Sequence, residues 1–249
     1  MQPTTTLFID LDGTIMENPF LSAVFPYLTD ALAPKLGMNA DVLSSEFIVE
    51  QESRLRQPDM YSPAMTMDWD DIVETVIHRY GYELPRPVCE LVTEYSRAPY
   101  IYTIDDSPAV LRELKQASHR RLIVASNGLS KYQLPVMEAL GLTPLFHDFL
   151  MPDLAGYLKT EAGFYRRYTG PKAPGLFISV GDNYTHDVIC PKRFGFHAIY
   201  KIENSPDLAD LPPFARCAYL PPVDILPDAV ILSLDELPAV IAAIEALAA

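Results

Sequence analysis

Two aspartates one residue apart, Asp10 and Asp12, interrupt the apolar run FIDLDGTI, Phe8 to Ile15. Phe8, Ile9, Leu11 and Ile15 have the character of a buried strand and the turn beyond it, a setting where acids do not belong. In an extended segment residues i and i+2 share a face, so the two carboxyls would lie about 5–6 Å apart. At an effective dielectric near 20, two such charges repel by about 3 kcal/mol, which is about two pKa units. A cation, a shared proton or a bend that parts the side chains must offset this. The first two are the beginnings of chemistry, and Gly13 immediately afterwards suggests the third.

Other polar residues end apolar runs in the same way. Ser126 and Asn127 come after LIVA, and Asp182 after FISVG. Lys159, in GYLKTEAGFY, falls between them in sequence and would add a positive charge. In parallel α/β sheets ligands bind at the carboxyl ends of strands, so these distant residues can converge on one site.

Several elements must position them. Strands are expected at Arg121–Ser126, Leu176–Asp182, His197–Ile202 and Ala229–Leu234, besides the first. Ser107 and Pro108 open a helix as N-cap and first turn, and Leu237, Val240, Ile241, Ile244 and Leu247 make a closing amphipathic helix. Strands alternating with helices imply an α/β fold: a Rossmann-like, mostly parallel sheet of five or six strands with helices on both faces. After the first strand the chain reads all-helical from about Asn18 to Arg97. Pro26 is a candidate kink, Asn39 an N-cap, and Gly81 closes the stripe Ile72, Val76, Ile77, Tyr80. Another stripe is Val88, Leu91, Val92, Tyr95, and QPDMYSPAMTM reads as a loop. This block is an inserted helical cap over 17–97, and 1–16 with 98–249 form the core. The hinges fall near Thr14–Asn18 and Ala98–Tyr102.

The order DLDGT, ASNG, Lys159, GDNYTHD resembles the haloacid dehalogenase-like hydrolase superfamily in its phosphatase branch, with a helical type-one cap inserted after the first strand. The likeness covers nearly the whole chain. It departs from the common pattern after Lys159, where KTEAG replaces a proline-rich turn.

The resemblance implies that Asp10 attacks a phosphoryl group to form an aspartyl-phosphate. Asp12 would be the general acid and then the base. It also implies Mg2+, held by Asp10, the backbone carbonyl of Asp12 and the acids Asp182 and Asp187, with Asp182 the direct ligand and Asp187 the support. Ser126 and Asn127, with Gly13 and Thr14, would receive the phosphoryl oxygens. Lys159 would neutralise the nucleophile and the transferring group. The substrate would be a small phosphorylated metabolite. A phosphomutase is the alternative on the same scaffold. A dehalogenase is disfavoured because that branch usually lacks the second acid. A receiver-type signalling domain is disfavoured by the order of the elements, and a non-catalytic phosphate-binding protein by the intact acids.

His186 is expected to pack or cap near the site, and Arg54 and Arg56 to lie on a solvated helix face. Glu17, Asn18 and Phe20 should line the boundary between cap and core. The net charge of −14 over 249 residues argues against a nucleic-acid polymer or an anionic membrane as partner. Cys89, Cys190 and Cys217 form no metal or disulfide pattern, which fits a reduced cytoplasmic protein. A monomer or homodimer is expected.

Overall fold

The computed structural model describes residues 4–170, 175–203 and 205–248. Six strands form one parallel sheet: β1 (Thr4–Ile9), β4 (Arg120–Ala125), β5 (Asp148–Leu150), β6 (Gly175–Gly181), β7 (His197–Lys201) and β8 (Ala229–Ile231). Their order is β5-β4-β1-β6-β7-β8, so β1 lies between β4 and β6. The register sets Phe8 beside Ile123 and Ser179, and Ile9 beside Val124 and Val180.

Alternation along the strands divides the core in two, because successive side chains point to opposite faces. Leu7, Ile9, Leu122 and Val124 join one cluster, with Leu111 and Leu114 of one helix and Ile241 and Ile244 of the closing helix Leu237–Ala248. Phe8, Ile123 and Ala125 join an aromatic cluster with Phe164, Tyr165, Tyr168 and Phe196 on the other face. Burial on both faces explains why β1 and β4 read as continuous apolar runs.

The chain leaves the sheet through β2 (Met16–Glu17) and returns through β3 (Tyr102–Thr103), which pair antiparallel with Glu17 opposite Tyr102. Between them lie α1 (Phe25–Leu36), α2 (Ala40–Leu55), α3 (Pro63–Thr66), α4 (Trp69–His78) and α5 (Val88–Tyr95). Asn39 caps α2 through its side chain, which accepts from the Asp41 N–H at 2.7 Å. After β3 come α6 (Ser107–Gln116) before β4 and α7 (Ser130–Ala139) after it. Among the described residues no helix is long and apolar enough to cross a membrane.

Pro26 falls where a π-helical turn, Phe20–Val24, passes into α1, so its missing N–H sits at the junction of two helix types. Three expectations change. Ser107 is not an N-cap. Its hydroxyl donates instead to the Ile15 carbonyl at 2.7 Å, tying α6 to the turn after β1. The stretch QPDMYSPAMTM contains the short α3, capped by Ser62. Arg54 is not solvated. It is 1% exposed, with Nε 2.8 Å from Glu50 and Nη1 2.5 Å from Asp71, and it donates to the Met65 carbonyl and the Thr75 hydroxyl. It is a strut between α2 and α4, whereas Arg56 is exposed and pairs with Glu52.

Candidate active site

After β1 the chain does not continue as a strand. The N–H groups of Thr14, Ile15 and Met16 all turn back to the Leu11 carbonyl, and Gly13 takes a φ of 72°. A Cβ on Gly13 would fall 2.4 Å from Asp182 Oδ2, so both the left-handed turn and the close approach demand glycine. The bend gives the two aspartates different partners. Asp10 Oδ1 lies 3.1 Å from Lys159 Nζ, whereas Asp12 Oδ2 accepts from Gln133 Nε2 at 2.6 Å.

Asp10, Asp12, Ser126, Asn127, Lys159 and Asp182 line a single cavity of about 220 Å³, with Gly128, Asn183 and His186 completing its wall. Each arrives from the carboxyl end of a strand or from the loop beyond it, as the switch-point geometry of a parallel sheet requires. Asp187 lies behind this wall, 1% exposed, with Oδ1 2.5 Å from Lys159 Nζ and Oδ2 accepting from the Asn183 N–H at 3.0 Å. Lys159 is thus held between two carboxylates. Burial alone would push its pKa down, but the charges of Asp10 and Asp187 more than reverse this and keep it protonated.

Burial pushes the Asp12 carboxyl up to about 7, and the charge of Asp10 adds to this, against hydrogen bonds from Asn18 and Gln133. The repulsion implied by the spacing is met in three ways: a cation beside Asp10, a bend at Gly13 and a raised Asp12.

Thr14 and Gly13 do not line this cavity. Thr14 is buried and its hydroxyl donates to Asp182 Oδ1 at 3.1 Å, and Gly13 borders a neighbouring space with Glu17, Asp182 and Lys201. Ser126 Oγ accepts from the Gly128 N–H at 3.0 Å, which leaves its own proton free. Asn127 Oδ1 accepts from the Lys159 N–H at 3.0 Å, fixing the loop that carries the lysine. His186 faces Asn127, Nδ1 to Nδ2 3.4 Å, and burial together with the Lys159 charge pushes its pKa down. Phe20 packs against Trp69 of the insertion and against Tyr132 of α7, at the boundary the sequence assigns it. Gln133 is a site residue that sequence reasoning misses. Its only signal is its place in the first helical turn after ASNG.

One carboxylate oxygen each from Asp10, Asp182 and Asp187 lies within 4.8 Å of the others. Hard oxygen donors in a group this tight fit a magnesium ion. Asp182 keeps one oxygen off its Thr14 contact, whereas Asp187 spends its two oxygens on Lys159 and Asn183.

Comparison with known proteins gives a family and a fold. No curated protein matches the chain. Among solved structures, a HAD phosphatase from Thermococcus onnurineus aligns with a TM-score of 0.68 at 22% identity, covering 96% of this chain and 97% of its own. The putative HAD-hydrolase YfnB from Bacillus subtilis, bound to magnesium, aligns at 0.62 and 18% identity, covering 96% and 98%. L-2-haloacid dehalogenase from Xanthobacter autotrophicus aligns at 0.62 and 17%, covering 96% and 98%. A family model for haloacid dehalogenase-like hydrolases matches residues 4–195, from β1 through the acids of the fourth motif. The chain belongs to the haloacid dehalogenase-like hydrolase family.

Proposed function

We propose that the protein is a magnesium-dependent phosphatase of small phosphorylated metabolites, working through an aspartyl-phosphate on Asp10 beneath a helical cap. The observation that carries this reading is Asp12. A phosphate ester leaves as an alkoxide, which needs a proton, whereas a halide leaves without one. A second carboxyl, raised to about 7 and lining the same cavity as Asp10, suits the first reaction and has no leaving group to protonate in the second.

Asp10 attacks phosphorus as a carboxylate, and Lys159 at 3.1 Å offsets the negative charge that gathers there. As the bond to the leaving oxygen breaks, Asp12 gives that oxygen its proton. Asp12, now ionised, then takes a proton from water, which attacks the acyl phosphate and frees Asp10. The Ser126 oxygen accepts from Gly128, and its hydroxyl proton is free to donate to a phosphoryl oxygen. Asp10, the Asp12 carbonyl and Asp182 would hold magnesium, with Asp187 in support. The ion would supply further charge neutralisation for the phosphoryl group.

The test is hydrolysis of p-nitrophenyl phosphate with and without magnesium by the native protein and by Asp10→Asn. Magnesium-dependent turnover that vanishes in Asp10→Asn is expected. Turnover that survives the substitution would sink the mechanism. Release of halide from a 2-haloacid without phosphatase activity would favour the dehalogenase reading.

A further inference from the structure

Gln133 sits in the first turn of α7 and is 3% exposed. Its Nε2 donates to Asp12 Oδ2 at 2.6 Å. This contact pins the Asp12 carboxyl from the α7 side, and an apolar side chain at 133 could not make it.

The neighbouring backbone makes room for the contact. A Cβ on Gly128 would fall 2.1 Å from Gln133 Nε2, so the glycine that ends ASNG leaves the space the amide fills. The second motif and the first are thereby joined through a residue that belongs to neither.

The geometry points to Gln133 as a positioning residue that holds the Asp12 carboxyl where it delivers a proton to the leaving oxygen. This rests on the phosphatase reading for its chemistry. In the step concerned, an Asp10 oxygen forms a bond to phosphorus and the phosphorus–leaving-oxygen bond breaks with its electron pair on that oxygen. The Asp12 O–H bond breaks as its proton moves there. Gln133 exchanges no proton.

The test compares p-nitrophenyl phosphate with phenyl phosphate, two esters of similar shape whose leaving groups differ in their need for a proton. In Gln133→Met the ratio of their kcat/KM values should shift by at least about tenfold against phenyl phosphate, since general acid catalysis typically contributes a hundredfold or more. Simple structural damage lowers both together. An unchanged ratio overturns the inference, whatever happens to the overall rate. Gln133→Leu, which is of similar volume and has no donor, serves if Gln133→Met does not fold. Should the native protein hydrolyse neither ester, the phosphatase reading fails, and a crystal structure of the variant decides the positioning role separately. Asp12 displaced from its native place supports it, and Asp12 unmoved overturns it.

Discussion

Lys159 Nζ lies 2.5 Å from Asp187 Oδ1, and the two side chains are only 3% and 1% exposed. The same ammonium lies 3.1 Å from Asp10. Replacing Lys159 with methionine keeps the volume and leaves two carboxylates unpaired, which should cost about 3–5 kcal/mol. For a chain of this length that is a fall in Tm on the order of 10 °C. The double variant Lys159→Met with Asp187→Asn should lose less than the sum of the singles. Strict additivity in thermal melts would mean that the pair is not coupled.

Arg54 should matter to stability and not to turnover. Arg54→Met removes a buried cation from Glu50 and Asp71 and should destabilise by about 3–5 kcal/mol. kcat measured well below the melting temperature should stay within about threefold of native, because the strut lies away from the reacting groups. A variant that melts normally but has lost its turnover would move Arg54 into the substrate site.

The same network has a pH signature. Burial raises the Glu50 carboxyl, but hydrogen bonds from Arg54 and Arg79 outweigh this and hold it below its ordinary 4.5. A depressed carboxylate contributes its full stability above the unfolded value and loses it as pH falls through the folded one. Native protein should therefore lose stability below about pH 4.5 more steeply than Glu50→Gln. Parallel denaturation curves for the two between pH 5 and pH 3 would remove Glu50 from the acid-labile set.

Gly13→Ala tests the turn after β1. The added Cβ meets Asp182 Oδ2 at 2.4 Å at a φ of 72°. Strain of this kind costs on the order of 1–3 kcal/mol. Magnesium affinity, measured by calorimetry, should drop with it as Asp182 is displaced. Unaltered affinity would detach Asp182 from the metal.

Tyr132 and Lys131 of α7 grip the first turn of α4. Tyr132 donates to Asp68 at 2.8 Å and accepts from the Asp70 N–H at 2.7 Å, and Lys131 Nζ reaches both carboxylates at 2.6 and 2.7 Å. Lys131→Ala with Tyr132→Phe should raise amide exchange at the start of α4 by about tenfold or more. Exchange at native rates would show that apolar packing alone seats the helical insertion.

The parts of the fold legible in the sequence are those with strong local pattern. Asp10, Ser126, Asn127 and Asp182 each close an apolar run, so reading the runs as parallel strands is enough to bring them to one cavity. β5 is invisible because Asp148–Leu150 is too short to show a period, and pairing with β4 makes it a strand. Arg54 misleads because a cation on an amphipathic helix looks solvated until a second helix supplies Asp71 and Thr75. Ser107 fits a capping pattern, but the Ile15 carbonyl, 92 residues away in sequence, takes its hydroxyl. Gln133 carries no signal of its own, since its meaning depends on Asp12 across the fold.

The two-residue ladder of β2 and β3 bears on modularity. Glu17 and Tyr102 face each other as antiparallel partners, which brings their Cα atoms to about 5 Å. Everything from residue 18 to 101 therefore enters and leaves through a gap that a two-residue hairpin turn can close. All six strands of the parallel sheet, and Asp10, Asp12, Asp182 and Asp187 with them, lie outside that stretch. The length of chain between Glu17 and Tyr102 therefore enters none of the sheet's own strand pairings.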